Sequence, residues 1–245
     1  ENLGFAGGIN AGIRYAMQWR PDYLWILNND TRVKSDSLQR LLTSAQIQPE
    51  IAMFGVTVLE NDDAELIQCA GGCFYSPMFT TVKNALKGVP VKQIHHSPPA
   101  IKPDYIFGAA MFCKAQIFEE VGLFREDYFL FYEELDFTQR LKKAGHDIAW
   151  CPEAHIYHQG SASVGSRVEG DHEKLKRAAY YENLNTLKYT SRFHYPLLVW
   201  VMIFRFSAKF AIYLLRRDFY LIPTLVKAYR DFLQWDKHAD TRTRT

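Results

Sequence analysis

A chain of 245 residues with 48% hydrophobic and 23% charged content can bury a full core, which excludes the disordered and fibrous classes. Net charge is only +2, but residues 1–150 hold 14 Lys/Arg against 18 Asp/Glu and residues 151–245 hold 15 against 9, so the rear half invites an anionic surface. Cys69, Cys73, Cys113 and Cys151 form no C-x-x-C pair or zinc spacing, which predicts buried, reduced thiols and a cytoplasmic compartment.

The chain opens at Glu1 without an initiator Met or an apolar leader, which reads as the interior of a longer protein. Gly4 to Gly12 reads as a glycine-rich loop running into a helix from Ile13. Pro21-Asp22 breaks that helix, and Tyr23 to Leu27 reads as a buried strand ending in Asn28-Asn29-Asp30. A serine-capped helix follows near Ser37, then a strand from Ile51 to Leu59. This β/α alternation predicts an α/β fold with a mixed, mostly parallel sheet flanked by helices.

From Cys69 to about Pro103 the Gly, Pro and Thr content predicts hairpins and an irregular loop. Tyr105 to Phe112 is a second apolar run, and a short helix from Ala115 ends at Gly122. The aromatic loop Tyr128–Tyr132 leads into Glu133-Glu134-Leu135-Asp136, the start of a helix that stops at Gly145. Asp147 to Cys151 reads as a strand, followed by the segment that carries His158.

The tail from Pro196 to Leu221 is apolar, interrupted by Arg205, Lys209 and Arg216, which fall within about 40° of one another on a helix. Its longest uncharged run, Tyr195 to Phe204, is shorter than the roughly 20 residues that span a bilayer. Residues 171–245 are therefore expected to be an amphipathic helical region lying peripherally on an anionic membrane, cations toward lipid, with a packed bundle helix as the alternative.

Asp30 after a strand, the acidic triplet at a helix start, and His158 after another strand describe one chemistry when taken together. Moving a sugar from a nucleotide diphosphate requires neutralising the departing diphosphate, which a divalent cation does as a Lewis acid. Asp30 supplies a hard oxygen ligand for Mg²⁺ or Mn²⁺, and neutral His158 adds a nitrogen. The acceptor hydroxyl must lose a proton, and Glu134 is the first candidate for that base, with Glu133 and Asp136 beside it. Gly7 and Gly8 let backbone approach the nucleotide closely.

The string Asn2-x-Gly4-Phe5-Ala6-Gly7-Gly8-x-Asn10-x-Gly12 resembles glycosyltransferase family 2, particularly its rhamnosyltransferase-like bacterial members. Leu27-Asn28-Asn29-Asp30-Thr31 is similar to that family's metal motif, although Asn28 replaces its first acid. Gly108-Ala109-x-Met111, Gly122-x-Phe124-x-Glu126 and Tyr132-Glu133-Glu134-x-Asp136-x-x-x-Arg140 resemble its acceptor and base block, with Glu134 where Asp is frequent. Tyr157-His158-x-Gly160-Ser161 resembles its late histidine motif, and Leu184-Asn185 follows where Arg-Asn is frequent.

The resemblance implies a GT-A fold over residues 1–170, an inverting displacement and a nucleotide-diphosphate sugar donor, with rhamnose as one option. It also implies a glycan or lipid-linked acceptor in bacterial cell-surface polysaccharide synthesis. Gly7, Gly8, Asn10, Asn28 and Asn29 would meet the donor. Gly108, Ala109, Met111 and Arg140 would meet the acceptor. Asp30 and His158 would hold the metal, Glu134 would act as base, and Asp136 would orient the acceptor or cap the helix. A GT-A domain begins with a further βαβ-type unit that grips the nucleotide, so residues 1–245 alone are expected to transfer feebly.

Other readings fit less well. A Rossmann dinucleotide loop would need glycine at positions 6 and 9, where Ala6 and Ile9 stand. A non-catalytic glycan-binding protein on the same fold would not need the acids at Asp30 and Glu134. The cations of the tail follow helical amphipathicity rather than a nucleic-acid-reading motif, so no nucleic-acid partner is expected.

Overall fold

The computed structural model describes residues 2–60, 65–94, 97–159 and 171–235. Gly160 and Ser161 of the histidine motif lie outside the described residues.

The expected glycine loop is helix. α1 (Gly4–Met17) starts with Gly4 at φ +74°, where Asn2 Oδ1 accepts the Gly4 N–H at 3.0 Å. Glycines cost a helix about 1 kcal/mol each. Burial of Ala6, Asn10 and Ile13 against the sheet opposes that cost.

The remaining elements follow in order: β1 (Tyr23–Leu27), β2 (Thr31–Val33), α2 (Ser37–Ile47), β3 (Ile51–Glu60), β4 (Ile67–Ala70), β5 (Gly72–Ser76), β6 (Thr81–Asn84), β7 (Tyr105–Ile106) and β8 (Ala110–Lys114). After these come α3 (Ile117–Glu120), α4 (Glu133–Lys143), β9 (Asp147–His158), α5 (His172–Phe193), α6 (Leu198–Leu215) and α7 (Ile222–Leu233).

The main sheet has the order β1-β8-β3-β9-β2, with β4 also on β3. It is mixed, as expected. Among the described residues only β3 and β9 are bonded in parallel, and β8 runs antiparallel between β1 and β3. β1, β3 and β9 consequently share one direction, and their carboxyl ends meet at one edge, where open α/β sheets bind ligands.

β3 is buried along its whole length up to Leu59, as a strand with both faces covered must be. On one face Met53 and Met111 pack with Ala6 and Ile13 of α1 and Phe137 of α4. On the other, Phe54, Val56 and Phe112 pack with Leu41 of α2 and Tyr189 of α5. The helical region is thus fastened to the α/β core through Tyr189, and α5, α6 and α7 share a further cluster around Leu187, Val201 and Leu225.

The expected orientation of α6 is reversed. Arg205 is 5% exposed and donates to Glu182 of α5 at 2.9 Å, and Lys209 Nζ donates to the same carboxylate at 2.9 and 3.1 Å. Val199, Ile203, Phe210 and Leu215 face outward instead. Arg205 and Lys209 turn inward because Glu182 offers a fixed partner, which a 3.6-residue projection of the tail alone cannot reveal, while Arg216 stays exposed as expected. Together with the turn before it, the helix runs 21 residues, Tyr195–Leu215, and its most apolar 18-residue stretch has mean hydropathy 1.7. By length and composition alone that is enough to cross a membrane, although the uncharged run within it is shorter.

Candidate active site

Register places the first half of the site. Val56 pairs with Cys151 but Thr57 pairs with His155, so Pro152–Ala154 bulge out of β9 and the strand continues to His158. There Thr31 of β2 pairs with His158, which sets the preceding residue, Asp30, beside the imidazole. His158 Nε2 is 3.2 Å from Asp30 Oδ1. The backbone of the tip is fixed by Asn28 N–H donating to Ala109 O at 3.0 Å and by Thr31 Oγ1 donating to Asn28 O at 2.7 Å.

Gln68, a residue that the sequence did not single out, sets the state of the imidazole. His158 Nδ1 is 2.7 Å from Gln68 Oε1, an acceptor, so Nδ1 carries the proton. Nε2 is left with a lone pair, toward which Asn28 Nδ2 points at 3.4 Å. Burial lowers the proton affinity of His158 by more than Asp30 raises it, which keeps the ring neutral. Both Asp30 oxygens are buried without a hydrogen-bond donor. A carboxylate with no donor facing an imidazole lone pair fits a divalent cation, and the Gln68 contact is the outer-shell partner that metal-binding histidines use.

Among the described residues no group of three or more His, Cys, Asp or Glu could hold an ion alone. Two protein ligands, completed by diphosphate oxygens and water, is the usual arrangement for Mg²⁺ at a phosphate site.

The second half sits at the start of α4, on a loop in which Phe129, Phe131 and Tyr132 all have positive φ (52°, 67° and 73°). Left-handed backbone at bulky residues is costly and persists only where its surroundings impose it. Here Asn185 of α5 imposes it, its Nδ2 donating to the carbonyls of Tyr128, Leu130 and Phe131 at 2.5, 2.7 and 3.2 Å. Lys188 and Arg192 of the same helix hold Asp127 at 3.3 and 2.8 Å.

The three acids of the triplet have different surroundings. Asp136 is wholly buried and occupied, accepting from Arg140 Nε at 2.7 Å and from Tyr128 OH at 3.1 Å, with Arg125 at 3.5 Å. Glu133 is 3% exposed, and burial beside Glu134 raises its carboxyl well above the usual range. Glu134 is half-buried and opens into a chamber of about 750 Å³. Burial raises its carboxyl too, while the hydrogen bond from Glu133 opposes the rise. Of the two, Glu134 is the one that opens to the chamber.

One dipeptide joins the halves. The Phe107 ring stands edge-on to His158 at 6.1 Å, and a Cβ on the next residue, Gly108, would lie 3.5 Å from Glu134 Oε1. Any larger residue at 108 would fill the space in front of Glu134.

The other expected contacts separate into open and closed positions. Gly8, Asn28 and Asn29 line a groove of about 650 Å³ between α1 and β1. Gly7 is turned inward, where a Cβ would meet Leu3 at 2.7 Å. Asn10 is likewise not free for a donor, because it is buried and bridges Phe124 and Glu126 (Nδ2 to Phe124 O 2.8 Å, to Glu126 Oε1 2.9 Å). Ala109 and Met111 are buried in the sheet, so they shape the site from beneath rather than touching an acceptor. Arg140 is spent on Asp136 and on the carbonyls of Val121 and Leu123 at 2.8 Å each.

The family model described as glycosyltransferase-like family 2 matches residues 1–171. Among curated relatives, a low-salt glycan biosynthesis hexosyltransferase, Agl10 of Haloferax volcanii, is 27% identical over 64% of this chain and 49% of its own length. An N-acetylglucosaminyl-diphospho-decaprenol L-rhamnosyltransferase of Mycobacterium tuberculosis is 22% identical over 67% of this chain and 58% of its own. A dTDP-rhamnosyl transferase of Shigella flexneri, RfbF, is 24% identical over 81% of this chain and 64% of its own. The chain thus spans about half the length of the first and under two thirds of the others.

Proposed function

The chain belongs to glycosyltransferase-like family 2, and from that premise we propose that it transfers a sugar from a nucleotide-diphosphate donor to a glycan or lipid-linked acceptor in cell-surface polysaccharide synthesis. Rhamnose is the first donor sugar to test, since two of the similar proteins carry it in their names. The chemistry is a single inverting displacement. The acceptor oxygen bonds to the anomeric carbon as the bond to the diphosphate oxygen breaks, its electrons leaving with the diphosphate and the hydroxyl proton going to Glu134. Mg²⁺ or Mn²⁺ held by Asp30 and His158 would neutralise the leaving diphosphate.

The observation that carries this reading is the Phe107-Gly108 dipeptide, which meets the Asp30–His158 pair on one side and Glu134 on the other. A base and a cation pair on either side of one short loop suit the two ends of an exchanged bond. The groove along α1 and β1 supports a donor position lined by Gly8, Asn28 and Asn29. The outward apolar face of α6 supports peripheral attachment to the inner face of the cell membrane, with the exposed Arg216 and Arg217 at its end meeting anionic lipid.

A screen of the full-length protein against nucleotide-diphosphate sugars, reading released nucleoside diphosphate with an acceptor present, tests the reading. Acceptor-dependent release that disappears in Glu134→Gln is expected. Equal release in wild type and Glu134→Gln would refute the assignment, and binding of donor without release by any member of the panel would favour a glycan-binding role.

A further inference from the structure

The loop that leads from Asp127 into α4 and Glu134 is seated on one face of α5. Asn185, Lys188 and Arg192 stand at i, i+3 and i+7, so they project from the same side of that helix. Asn185 meets the loop's carbonyls, and the two cations meet its first residue. Arg192 grips the Asp127 carboxylate with both amines, Nη1 to Oδ1 at 3.3 Å and Nη2 to Oδ2 at 2.8 Å. Lys188 Nζ donates to the Asp127 carbonyl at 2.8 Å and to Oδ2 at 3.3 Å. The geometry of the loop therefore depends on where these two cations are held.

A residue from α7's end covers both of them. Trp235 lies just past α7, half-buried, with Phe232 stacked on it at 6.0 Å. The centre of its ring is 4.9 Å from Arg192 Cζ and 5.3 Å from Lys188 Nζ. The side chains of Lys188 and Arg192 are only 9% and 6% exposed, and an aromatic face attracts a cation more strongly once water is excluded. The Arg192 guanidinium also lies 4.9 Å from the Tyr128 ring. Tyr128 is wholly buried, and its hydroxyl donates to Asp136, two residues after Glu134. An unbroken run of contacts thus leads from Trp235 through Arg192 and Tyr128 to the first turn of α4.

We infer that Trp235 is a positioning residue for the proposed transfer, its indole face fixing Lys188 and Arg192 over Asp127 and Tyr128 and so holding the strained loop in the arrangement that presents Glu134 to the chamber. α7 is then a brace of the base-bearing loop, a role separate from any contact of the helical region with a membrane. The inference rests on the assignment of Glu134 as base.

Trp235→Leu in the full-length protein keeps an apolar side chain against Phe232 and removes the ring face. Measured well below its melting temperature, it should lower kcat by about 10–100-fold with donor KM unchanged, the scale expected when a reacting group is slightly misplaced. Hydrogen exchange of the amides from Tyr128 to Glu134 should quicken about tenfold, while exchange in α6 stays as it was. Trp235→Phe, which restores an aromatic face, should recover most of both. If Trp235→Leu does not fold, Arg192→Lys serves, since it keeps the charge and gives up the planar stack on Trp235 and Tyr128. Leu233→Ser, at an exposed position of α7, should change neither readout. Unaltered kcat and loop exchange in Trp235→Leu would overturn the inference, as would equal losses in Trp235→Leu and Trp235→Phe. The exchange readout needs no turnover, so it separates the two readings. Transfer that survives Glu134→Gln while Trp235→Leu still loosens the loop would remove the base assignment and leave the brace. Loop exchange unchanged in Trp235→Leu while Glu134→Gln stops transfer would do the reverse.

Discussion

His158 Nε2 stands 3.2 Å from Asp30 Oδ1, and Gln68 Oε1, 2.7 Å from Nδ1, favours the tautomer that turns the Nε2 lone pair toward Asp30. An oxygen and a nitrogen ligand side by side suit a divalent cation better than either residue alone, and Gln68 becomes the residue that orients the pair.

Mn²⁺ titrated into the full-length protein with a nucleoside diphosphate should accordingly bind far more weakly in Asp30→Asn and His158→Ala. Gln68→Ala is expected to cost about 10–100-fold in metal affinity, the usual effect of losing an outer-shell partner. Gln68→Glu, which keeps an acceptor facing Nδ1, should restore most of it. Equal affinity in Gln68→Ala and wild type would mean that the histidine tautomer does not matter to the site.

Glu133 and Glu134 should behave oppositely when changed to glutamine. Glu134→Gln removes the proton acceptor and should lower kcat by about 10²–10⁴-fold, the range of general-base contributions. Glu133→Gln retains a donor toward Glu134, as the protonated carboxyl does, and should keep most of the activity. Comparable losses in both would show that the proton is shared differently from the burial pattern.

The same pair sets a pH dependence of known sign. Glu134 follows Glu133 at the start of α4 and shares its chamber with Tyr105, Glu182, Arg205 and Lys209. Its carboxyl is raised by burial, so the acid limb of kcat/KM should lie above the ordinary glutamate value of 4.5. For stability, Glu133 is protonated in the fold and ionised in the unfolded chain above about pH 4.5. Wild type therefore loses this contribution as pH rises through the folded value, and Glu133→Gln does not. The melting-temperature difference, variant minus wild type, should be near zero at pH 4 and grow toward pH 8.

What the sequence allowed to be read, and what it hid, divides along physical lines. The strand end before Asp30 and the helix start at Glu133-Glu134 were legible because apolar runs stop abruptly there, whereas the strand read as ending at Cys151 continues through a bulge to His158. The helix from Gly4 was not, since its glycines are unfavourable locally and only sheet packing holds them. Asp136 read as a site residue from the acidic triplet and Arg140 from the family resemblance, yet their i,i+4 spacing lets them satisfy each other inside the core. Gln68 lies 90 positions from His158, and no local pattern links them.

Asn185 gives a test of the long-range part of this design. It satisfies three carbonyls of a strained loop from 54 or more residues away. Asn185→Ala leaves the half-buried carbonyls of Leu130 and Phe131 without a donor, at about 1–3 kcal/mol for each group left unsatisfied, while Tyr128 O keeps the Leu130 N–H. Lower melting temperature and lower kcat with unchanged donor affinity are expected, because the loop carries Glu134 and not the metal pair. A fall in donor affinity of the same size as the fall in kcat would tie the loop to the donor half instead.

The two faces of α6 predict opposite consequences of changing its residues. Arg205→Gln deprives Glu182 of one of its two cations, Lys209 remaining, and removes the donor to Asn183 and Thr80, at about 1.5–3 kcal/mol. For a chain of this size that corresponds to a melting temperature lower by about 5–10 °C, with membrane binding of the folded fraction intact. Ile203→Asp changes an exposed side chain and should leave the melting temperature nearly unaltered, but it should reduce flotation with vesicles containing anionic lipid. Arg216→Gln should weaken flotation only at low salt, since an exposed cation attracts the surface through a screened field. If Ile203→Asp floats as well as wild type, the outward apolar face meets another protein surface and not lipid.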